Sequence, residues 1–386
     1  MPRPMHVLWV WRYLGIDGGS RVLLDFAENH DRSTVRLTVG LLEGAHPEVI
    51  RRVPPDVSVH LGRRPVRRWL RGPLRKLVWK FYVPGQIGRW VSKLRVDCLL
   101  CDGRRELYAA CLLKLIGLLS VPLVGRVGSV LSWYLANQRV VPFEPHLAPA
   151  LLRMPDLIVT PSELASRDLA RVAHRPAGTV RTTGNMVSCE GVRKRSAEGP
   201  PPIPPPYFLV LGGLTARKDP LTPLRAYSAL AHEAGREPGS VPGLLYVGDG
   251  PLEGEIRREA ERLGVADRVT LAGRLLNPFP ALAGATALIH SSHMDGFSFA
   301  VAEAMCLRRA VFYAAGAIGL ETVLRRYGIG ASFPPGDAGS LSVLLRRLLS
   351  GAEADGRAGY DGAIREFDPA RFRQGYEDAF RFVRRI

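Results

Sequence analysis

The chain has 386 residues, 46% of them hydrophobic and 23% charged, which fits two α/β domains and excludes global disorder. Lysine and arginine exceed aspartate and glutamate by 17, which favours an anionic partner such as a phosphate, an anionic sugar, a lipid head group or a nucleic acid. Few cysteines, odd in number, predict no disulfide framework and favour a reducing compartment. They are Cys98, Cys101, Cys111, Cys189 and Cys306.

The first half of the chain alternates short apolar segments with helical segments, a pattern typical of parallel-sheet α/β domains. Strands are predicted over 5–10, 35–42, 57–60, 98–100, 123–127 and 156–160, and helices over 21–29, 73–83 and 107–119. Ser162 is a predicted helix N-cap. The apolar run 107–124 contains Lys114 and Pro122, so it is interpreted as a buried helix, a turn and a strand rather than a membrane span.

Prolines divide the chain near its middle. The stretch 199–206 reads GPPPIPPP and follows the basic run 193–195, and a proline tract extends neither a helix nor a central strand. We therefore predict an N-terminal domain over 1–190, a linker over 191–206, and a second α/β domain over 207–365. An amphipathic helix is predicted over 366–386.

Several junctions between a predicted strand and helix carry glycines, where the backbone can approach a ligand and the helix start favours an anion. They are Gly18-Gly19, Gly212-Gly213 and Gly248-Asp249-Gly250. Each is also compatible with an ordinary tight turn. Arg217 and Lys218 follow the second junction, and two cations before a helix are unfavourable unless an anion such as a diphosphate binds there. Solvated surface cations are the alternative.

The most specific pattern is Asp295-Gly-Phe-Ser-Phe-Ala-Val-Ala-Glu303. It spaces two carboxylates eight positions apart across a predicted loop-to-helix junction. Carboxylates accept hydrogen bonds from hydroxyls, and the free N–H groups of residues 296–298 at the helix start suit phosphate oxygens. The pattern predicts a ligand that is both polyol and phosphate.

At these residues the sequence resembles the retaining glycosyltransferases of the GT-B fold, family 4 type, whose hallmark is E-x7-E. The match runs from Ser292 to Met305, with Asp295 in place of the first glutamate. Segments 208–220, 244–275 and 156–163 and the Gly18-Gly19 loop resemble other family segments in the same order. The resemblance implies two Rossmann-like domains that face a central cleft, with the C-terminal helix packing back toward the N-terminal domain.

The resemblance also implies roles by position. Glu303 is expected to bind the donor ribose, Asp295 the donor sugar, and Lys218 the diphosphate, whose developing charge it would stabilise. Gly296, Phe297 and Ser298 are expected to offer backbone amides, Arg274 and Leu275 to meet the base, and Gly18, Gly19 and Gly213 to lie along the donor. Lys218, Asp295 and Arg126 are the predicted catalytic residues.

The chain departs from the family pattern at three places. Gly213 stands where the family has arginine, so Arg217 is the expected substitute. The family histidine of the N-terminal domain is missing from 122–129, and Arg126 is the predicted replacement. Arg308 and Ala310 replace a glycine and a proline after the E-x7-E segment.

On mechanism, the family retains anomeric configuration by front-face attack, with the leaving phosphate taking the acceptor's proton. Catalysis would then consist mainly of positioning and charge stabilisation, with domain closure excluding water. No D-x-D motif occurs, so we expect neither a metal nor another cofactor beside the nucleotide-sugar donor.

The stretch 61–95 has eleven lysines and arginines, five aromatic residues, and no aspartate or glutamate. Such a segment fits an anionic membrane surface and a lipid-linked acceptor. A solvated basic face is the alternative, and nucleic acid is disfavoured because no recognition motif accompanies the charge. The expected location is cytoplasmic, with peripheral contact at the inner face of the membrane.

The sequence therefore predicts a glycosyltransferase that moves a sugar from a nucleotide-sugar donor to a glycan, lipid-linked or other glycoconjugate acceptor, in polysaccharide or glycoconjugate biosynthesis. Two alternatives stay open. One is a GT-B phosphorylase or epimerase, and the other is an inactive relative that serves as a basic membrane or nucleic-acid adaptor.

Overall fold

The computed structural model describes residues 3–62, 73–137, 143–235, 241–351 and 359–385, and no side chain of 73–80. The chain divides into two compact units. Unit 1 comprises the residues up to Met186 and those from Pro369 onward, and unit 2 comprises Val187–Asp368. The predicted linker over 191–206 thus lies in unit 2, and its first part is helical.

Unit 1 contains a seven-stranded parallel sheet of order β3-β2-β1-β4-β5-β6-β7. Its strands are β1 Met5–Leu14, β2 Val35–Ala45, β3 Ser58–Leu61, β4 Cys98–Asp102, β5 Leu123–Arg126, β6 Leu157–Thr160 and β7 Val180–Thr182. Its helices are α1 Gly18–Asn29, α2 Pro47–Ile50, α3 Pro73–Leu94, α4 Arg104–Leu115, α5 Leu131–Asn137, α6 Glu144–Leu151 and α7 Glu163–Ala173. Ser162 caps α7 as predicted, because its side chain accepts from the N–H of Ala165.

Unit 2 contains a six-stranded parallel sheet of order β10-β9-β8-β11-β12-β13. The strands are β8 Tyr207–Leu211, β9 Gly243–Val247, β10 Val269–Leu271, β11 Ala285–His290, β12 Ala310–Ala314 and β13 Ala331–Phe333. The helices are α8 Cys189–Ser196, α9 Leu221–Glu233, α10 Glu253–Arg262, α11 Phe279–Gly284, α12 Phe299–Cys306, α13 Glu321–Arg326, α14 Ala338–Leu349 and α15 Tyr360–Ala363. The central strands of both sheets are apolar along their length because helices cover both faces.

The last helix, α16 Pro369–Arg384, belongs to unit 1, as predicted. Its apolar side packs on β1 and α1. The ring of Tyr376 stacks on Trp9 at 5.4 Å between centroids and lies 5.1 Å from the ring of Phe26. The spacing of Phe372, Tyr376 and Phe380 that predicted this helix is therefore the spacing of its core contacts.

Two sequence interpretations are wrong. Cys189 and Cys306 form a disulfide that joins α8 to α12, whereas the sequence predicted no disulfide framework. The pairing was invisible because 117 residues separate the two cysteines. The apolar segment after Leu107 forms a helix, but it is only half-buried, since Leu112, Leu115, Ile116 and Leu118 are exposed. Its apolar residues outnumber the positions that face the sheet.

The basic stretch 61–95 is described only in part, since 63–72 and the side chains of 73–80 lie outside the described residues. Helix α3 continues through Pro84 to Leu94, beyond the predicted end at 83. Trp90 is buried, Phe81 is 75% exposed, and Arg89 and Lys93 are exposed. Among the described residues, no helix combines the length and hydrophobicity that a bilayer crossing requires.

Candidate active site

The candidate site in unit 2 lies at the carboxyl ends of β8 and β11, which are neighbours in the sheet. The strand order reverses at this point, because β9 lies on one side of β8 and β11 on the other, and ligands of open α/β sheets bind at such reversals. A depression opens there. Its lining includes Gly212, Gly213, Lys218, His290 and Ser291.

Lys218 and Asp295 form the central ion pair of this site. Lys218 ends a short 3-10 turn after β8, and Asp295 follows β11. The Nζ of Lys218 lies 2.5 Å from Oδ2 of Asp295, and both side chains are only about one-fifth exposed. The structure thus brings together two of the three predicted catalytic residues, which are 77 positions apart in sequence.

Asp295 is held in its charged form. Burial alone would raise its pKa, but the charges of Lys218 and Arg217 and the nearby imidazole of His290 hold the pKa well below the usual range. The guanidinium of Arg217 is anchored in turn, because Nη1 donates to the carbonyl oxygen of Met294 at 2.7 Å. The predicted substitute Arg217 therefore lies beside the Asp295 carboxylate.

The backbone around Asp295 is fixed by the segment that follows β12. The N–H of Asp295 donates to the carbonyl of Ala317 at 2.7 Å, and the N–H of Gly319 donates to the carbonyl of Asp295 at 2.9 Å. On the other side, the hydroxyl of Ser291 donates to the carbonyl of Asp219 at 2.7 Å and so holds the turn that carries Lys218. Each member of the pair is thereby positioned by a segment that follows a different strand.

Helix α12 begins at Phe299, four residues after Asp295. Ser298 is its N-cap and adopts φ 78°, a conformation that is strained for a residue other than glycine. Its hydroxyl accepts from the N–H of Val301 at 3.4 Å. Glu303 lies in the second turn and is buried, 5% exposed. The predicted loop-to-helix junction between the two carboxylates is therefore present.

The glycines after β9 allow the two loops that follow β8 and β9 to pack backbone against backbone. A Cβ on Gly248 would lie 1.9 Å from the carbonyl oxygen of Gly212, and one on Gly250 would lie 2.3 Å from that of Leu214. The tight-turn interpretation therefore holds for these positions, and Gly213 lines the depression beside them. Arg274 pairs with Asp249 at 2.7 Å, and Leu275 packs partly against the core.

The other predicted site residues lie in unit 1. Gly18 and Gly19 open α1, and Asp17 caps it. Arg126 is buried at the end of β5. Its guanidinium donates to both carboxylate oxygens of Asp102 at 3.0 Å, to the hydroxyl of Tyr376 at 3.0 Å and to the amide oxygen of Asn185 at 3.4 Å. These partners give Arg126 a structural role, and its catalytic role stays a prediction.

Sequence reasoning missed His290. Its Nε2 lies 3.5 Å from Oδ2 of Asp295, and its Nδ1 lies 3.5 Å from the hydroxyl of Ser298. Burial lowers the pKa of His290, which favours the neutral imidazole, and Nε2 has no hydrogen-bond partner among the described residues although it lies near the carboxylate. A histidine that ends an apolar strand five residues before Asp295 was the available signal.

Comparisons with known proteins concern the family of unit 2 and the fold of the chain. Residues 193–364 match the family model described as glycosyl transferases group 1. This region is a glycosyl transferases group 1 domain. The predicted enzyme class, a glycosyltransferase, is thereby confirmed. No curated protein matches the sequence.

Solved structures match nearly the whole chain at low identity. The Anabaena protein Alr3699/HepE in complex with UDP and glucose aligns with TM-score 0.75 and 16% identity, covering 98% of this chain and 99% of that one. Sucrose-phosphate synthase from Thermosynechococcus elongatus aligns with TM-score 0.73 and 16% identity, covering 98% of each chain. The lipopolysaccharide outer core galactosyltransferase WaaB aligns with TM-score 0.69 and 15% identity, covering 97% of this chain and 99% of that one. The predicted GT-B fold class, with two Rossmann-like parallel-sheet domains, is confirmed.

Proposed function

We propose that the protein transfers a sugar from a nucleotide-sugar donor, with retention of configuration, as in the family 4 enzymes that it resembles. The observation that carries the proposal is the Lys218–Asp295 pair at the strand reversal of unit 2, beside the start of α12. A diphosphate is attracted by Lys218, Arg217 and the positive end of the helix dipole at that helix start. Sugar hydroxyls find an acceptor in the ionised Asp295.

In this mechanism the site stabilises charge and holds the donor. Lys218 exchanges its partner Asp295 for the developing charge on the leaving phosphate, a contribution that grows as water is excluded. The buried imidazole of His290 lies beside the Asp295 carboxylate, 3.5 Å from its Oδ2. The leaving phosphate takes the acceptor's proton. The expectation that no metal or other cofactor takes part stays a prediction.

The donor test is a thermal-shift and calorimetric titration of the purified chain with UDP-, GDP- and ADP-sugars. We expect one nucleotide class to stabilise the wild type, and UDP is tested first because Alr3699/HepE is described in complex with UDP-glucose. Glu303→Ala should abolish the shift, whereas Glu255→Ala, an exposed glutamate of α10, should retain it. No shift with any sugar nucleotide at millimolar concentration would contradict the proposal.

For the acceptor, we propose a glycan or lipid-linked glycoconjugate, used at the cytoplasmic face of an anionic membrane. The composition of the 61–95 segment supports this, since each cation near such a surface contributes about 1 kcal/mol. Co-sedimentation of the full chain with vesicles that contain phosphatidylglycerol is the test. Arg89→Glu with Lys93→Glu should weaken binding, and the matched exposed pair Arg257→Glu with Arg258→Glu in unit 2 should not. Equal binding by both double variants would overturn the membrane assignment.

A further inference from the structure

Helix α8 is covalently joined to the helix that carries Glu303. The disulfide links Cys189, the first residue of α8, to Cys306, the last residue of α12. Cys306 follows Glu303 by one turn of the same helix, and α8 also packs against α12. The bond therefore fixes the start of α8 to the helix from which Glu303 is expected to bind the donor ribose.

The other end of α8 holds the loop between β10 and α11. Nη2 of Arg195 donates to the carbonyl of Leu276 at 3.1 Å, and Nδ2 of Asn277 donates to the carbonyl of Arg195 at 2.8 Å. The guanidinium of Arg195 also lies over the ring of Phe279, 4.8 Å from its centroid. This loop includes 274–275, which is predicted to meet the base. Helix α8 thus supports both segments that are expected to contact the nucleoside.

The disulfide can be attacked from the Cys189 side. Cys189 is half-buried, whereas Cys306 is fully buried. Arg193 lies one turn after Cys189 on α8, and its Nε donates to the carbonyl of Cys306 at 3.0 Å. A helix start and a nearby cation both favour a thiolate over a thiol. The half-buried end of the bond therefore lies where a thiolate released by reduction is stabilised.

The other three cysteines do not compete for this chemistry. Cys98, Cys101 and Cys111 are unpaired and buried in unit 1. Burial raises the pKa of each of these thiols, that of Cys111 to about 12. They are protonated at neutral pH, and exchange requires a thiolate. Thiol–disulfide exchange is therefore confined to the Cys189–Cys306 pair.

We propose that Cys189 and Cys306 form a redox site through which a dithiol reductant weakens the binding of the nucleotide-sugar donor. One thiolate of the dithiol attacks Sγ of Cys189, which forms a mixed disulfide and releases Cys306. The second thiolate attacks the mixed disulfide, closes the reductant's own disulfide and releases Cys189. Two electrons pass to the protein, and the two protons that the dithiol loses are taken up by the released sulfurs. The link to the donor rests on the proposed function.

Reduction acts on the donor site through α8. Once the bond is open, the start of α8 is held to α12 by packing and by the hydrogen bond from Arg193 to the Cys306 carbonyl. Glu303 and the loop over 274–277 then lose their covalently fixed common support. A site that is less preorganised binds its ligand more weakly. We expect the donor Kd to rise about fivefold.

The experiment is a calorimetric titration of the full chain with UDP-glucose, or with whichever GDP- or ADP-sugar binds instead. One sample is oxidised with oxidised glutathione and the other is reduced with dithiothreitol. Thiol labelling after denaturation should count three free cysteines in the oxidised form and all five in the reduced form. Cys189→Ser should bind the donor as the reduced wild type does, with or without dithiothreitol. Cys111→Ala is the matched control and should keep the redox response.

Arg195→Ala separates lost positioning from lost folding, because it keeps the disulfide and removes the contact with the loop over 274–277. It should weaken donor binding about as much as reduction does, whereas Lys194→Ala, an exposed neighbour on α8, should not. The proposal would be overturned by equal donor Kd values for the oxidised and reduced forms, by five free thiols after oxidation, or by wild-type affinity in Arg195→Ala. No binding of any nucleotide sugar to the oxidised form would instead contradict the proposed function.

Discussion

The Nζ of Lys218 lies 2.5 Å from Oδ2 of Asp295, although β9, β10 and β11 lie between them in sequence. Each charge compensates the other while the site is only about one-fifth exposed. Both groups follow neighbouring parallel strands at the same edge of the sheet, so the fold alone brings them together. The pair is therefore already assembled within unit 2.

Lys218→Ala should lower kcat about 100-fold, because it removes the cation that stabilises the leaving phosphate. Steady-state kinetics with the donor identified by thermal shift would measure the loss. Lys194→Ala, an exposed lysine of α8, is the matched control and should change kcat little. A kcat for Lys218→Ala within threefold of the wild type would contradict the assigned role.

The raised pKa of the buried Glu106 should make the stability of the protein depend on pH. Its pKa is raised from 4.5 to about 7 by burial, with Asp102 raising it further and Arg12 and Arg105 opposing the shift. Between these two pKa values the folded protein keeps a proton that the unfolded chain releases. The resulting contribution to the free energy of unfolding is complete below pH 4.5 and is lost as the pH rises through 7. At about 1.4 kcal/mol per pH unit, it amounts to about 3 kcal/mol.

Glu106→Gln should therefore gain stability relative to the wild type on going from pH 5 to pH 8, by up to about 3 kcal/mol. Urea denaturation at the two pH values measures this difference. Glu255→Gln, exposed on α10, should show none. The same stability difference between Glu106→Gln and wild type at both pH values would rule out a raised pKa.

Tyr376→Phe should destabilise unit 1 by about 1.5–3 kcal/mol, because it leaves the buried Nε–H of Arg126 without its partner on α16. Chemical denaturation is the measurement. The control is Tyr134→Phe. Tyr134 is a half-buried residue of α5 whose ring lies beside Arg104, and its change should lower the free energy of unfolding by less than about 0.5 kcal/mol. If Tyr376→Phe reduced kcat without reducing stability, the predicted catalytic role of Arg126 would gain support instead.

Gly248→Ala should cost at least about 2 kcal/mol, since the new Cβ would overlap the Gly212 carbonyl oxygen and φ is 144°. Gly254→Ala is the opposite case. It lies in α10, where the nearest side-chain atom to a new Cβ is 3.6 Å away, so the change should stabilise by about 0.5 kcal/mol. Thermal unfolding of the two variants compares them, and equal stabilities would show that the loop can adapt.

Much of the site could be predicted because its chemistry is local in sequence. The Asp295–Glu303 spacing spans one loop and one helix start, and Arg217 and Lys218 follow a single strand. Resemblance then supplied the order of the segments. His290 and Ser291 were missed because their roles come from tertiary contacts. His290 lies beside the Asp295 carboxylate, and Ser291 donates to the carbonyl of Lys218 from the neighbouring strand.

The sequence by itself determined the two α/β halves, the core strands and the last amphipathic helix, because apolar periodicity, glycines and caps act within a few residues. The tertiary structure alone decided the contacts that cross strands. It paired Lys218 with Asp295, Arg126 with Tyr376 and Cys189 with Cys306, and it left Glu106 buried with an unsatisfied oxygen beside Trp11. The physical reason is that burial and charge pairing depend on which strand ends become neighbours. That order follows from packing the whole sheet, and no local pattern encodes it.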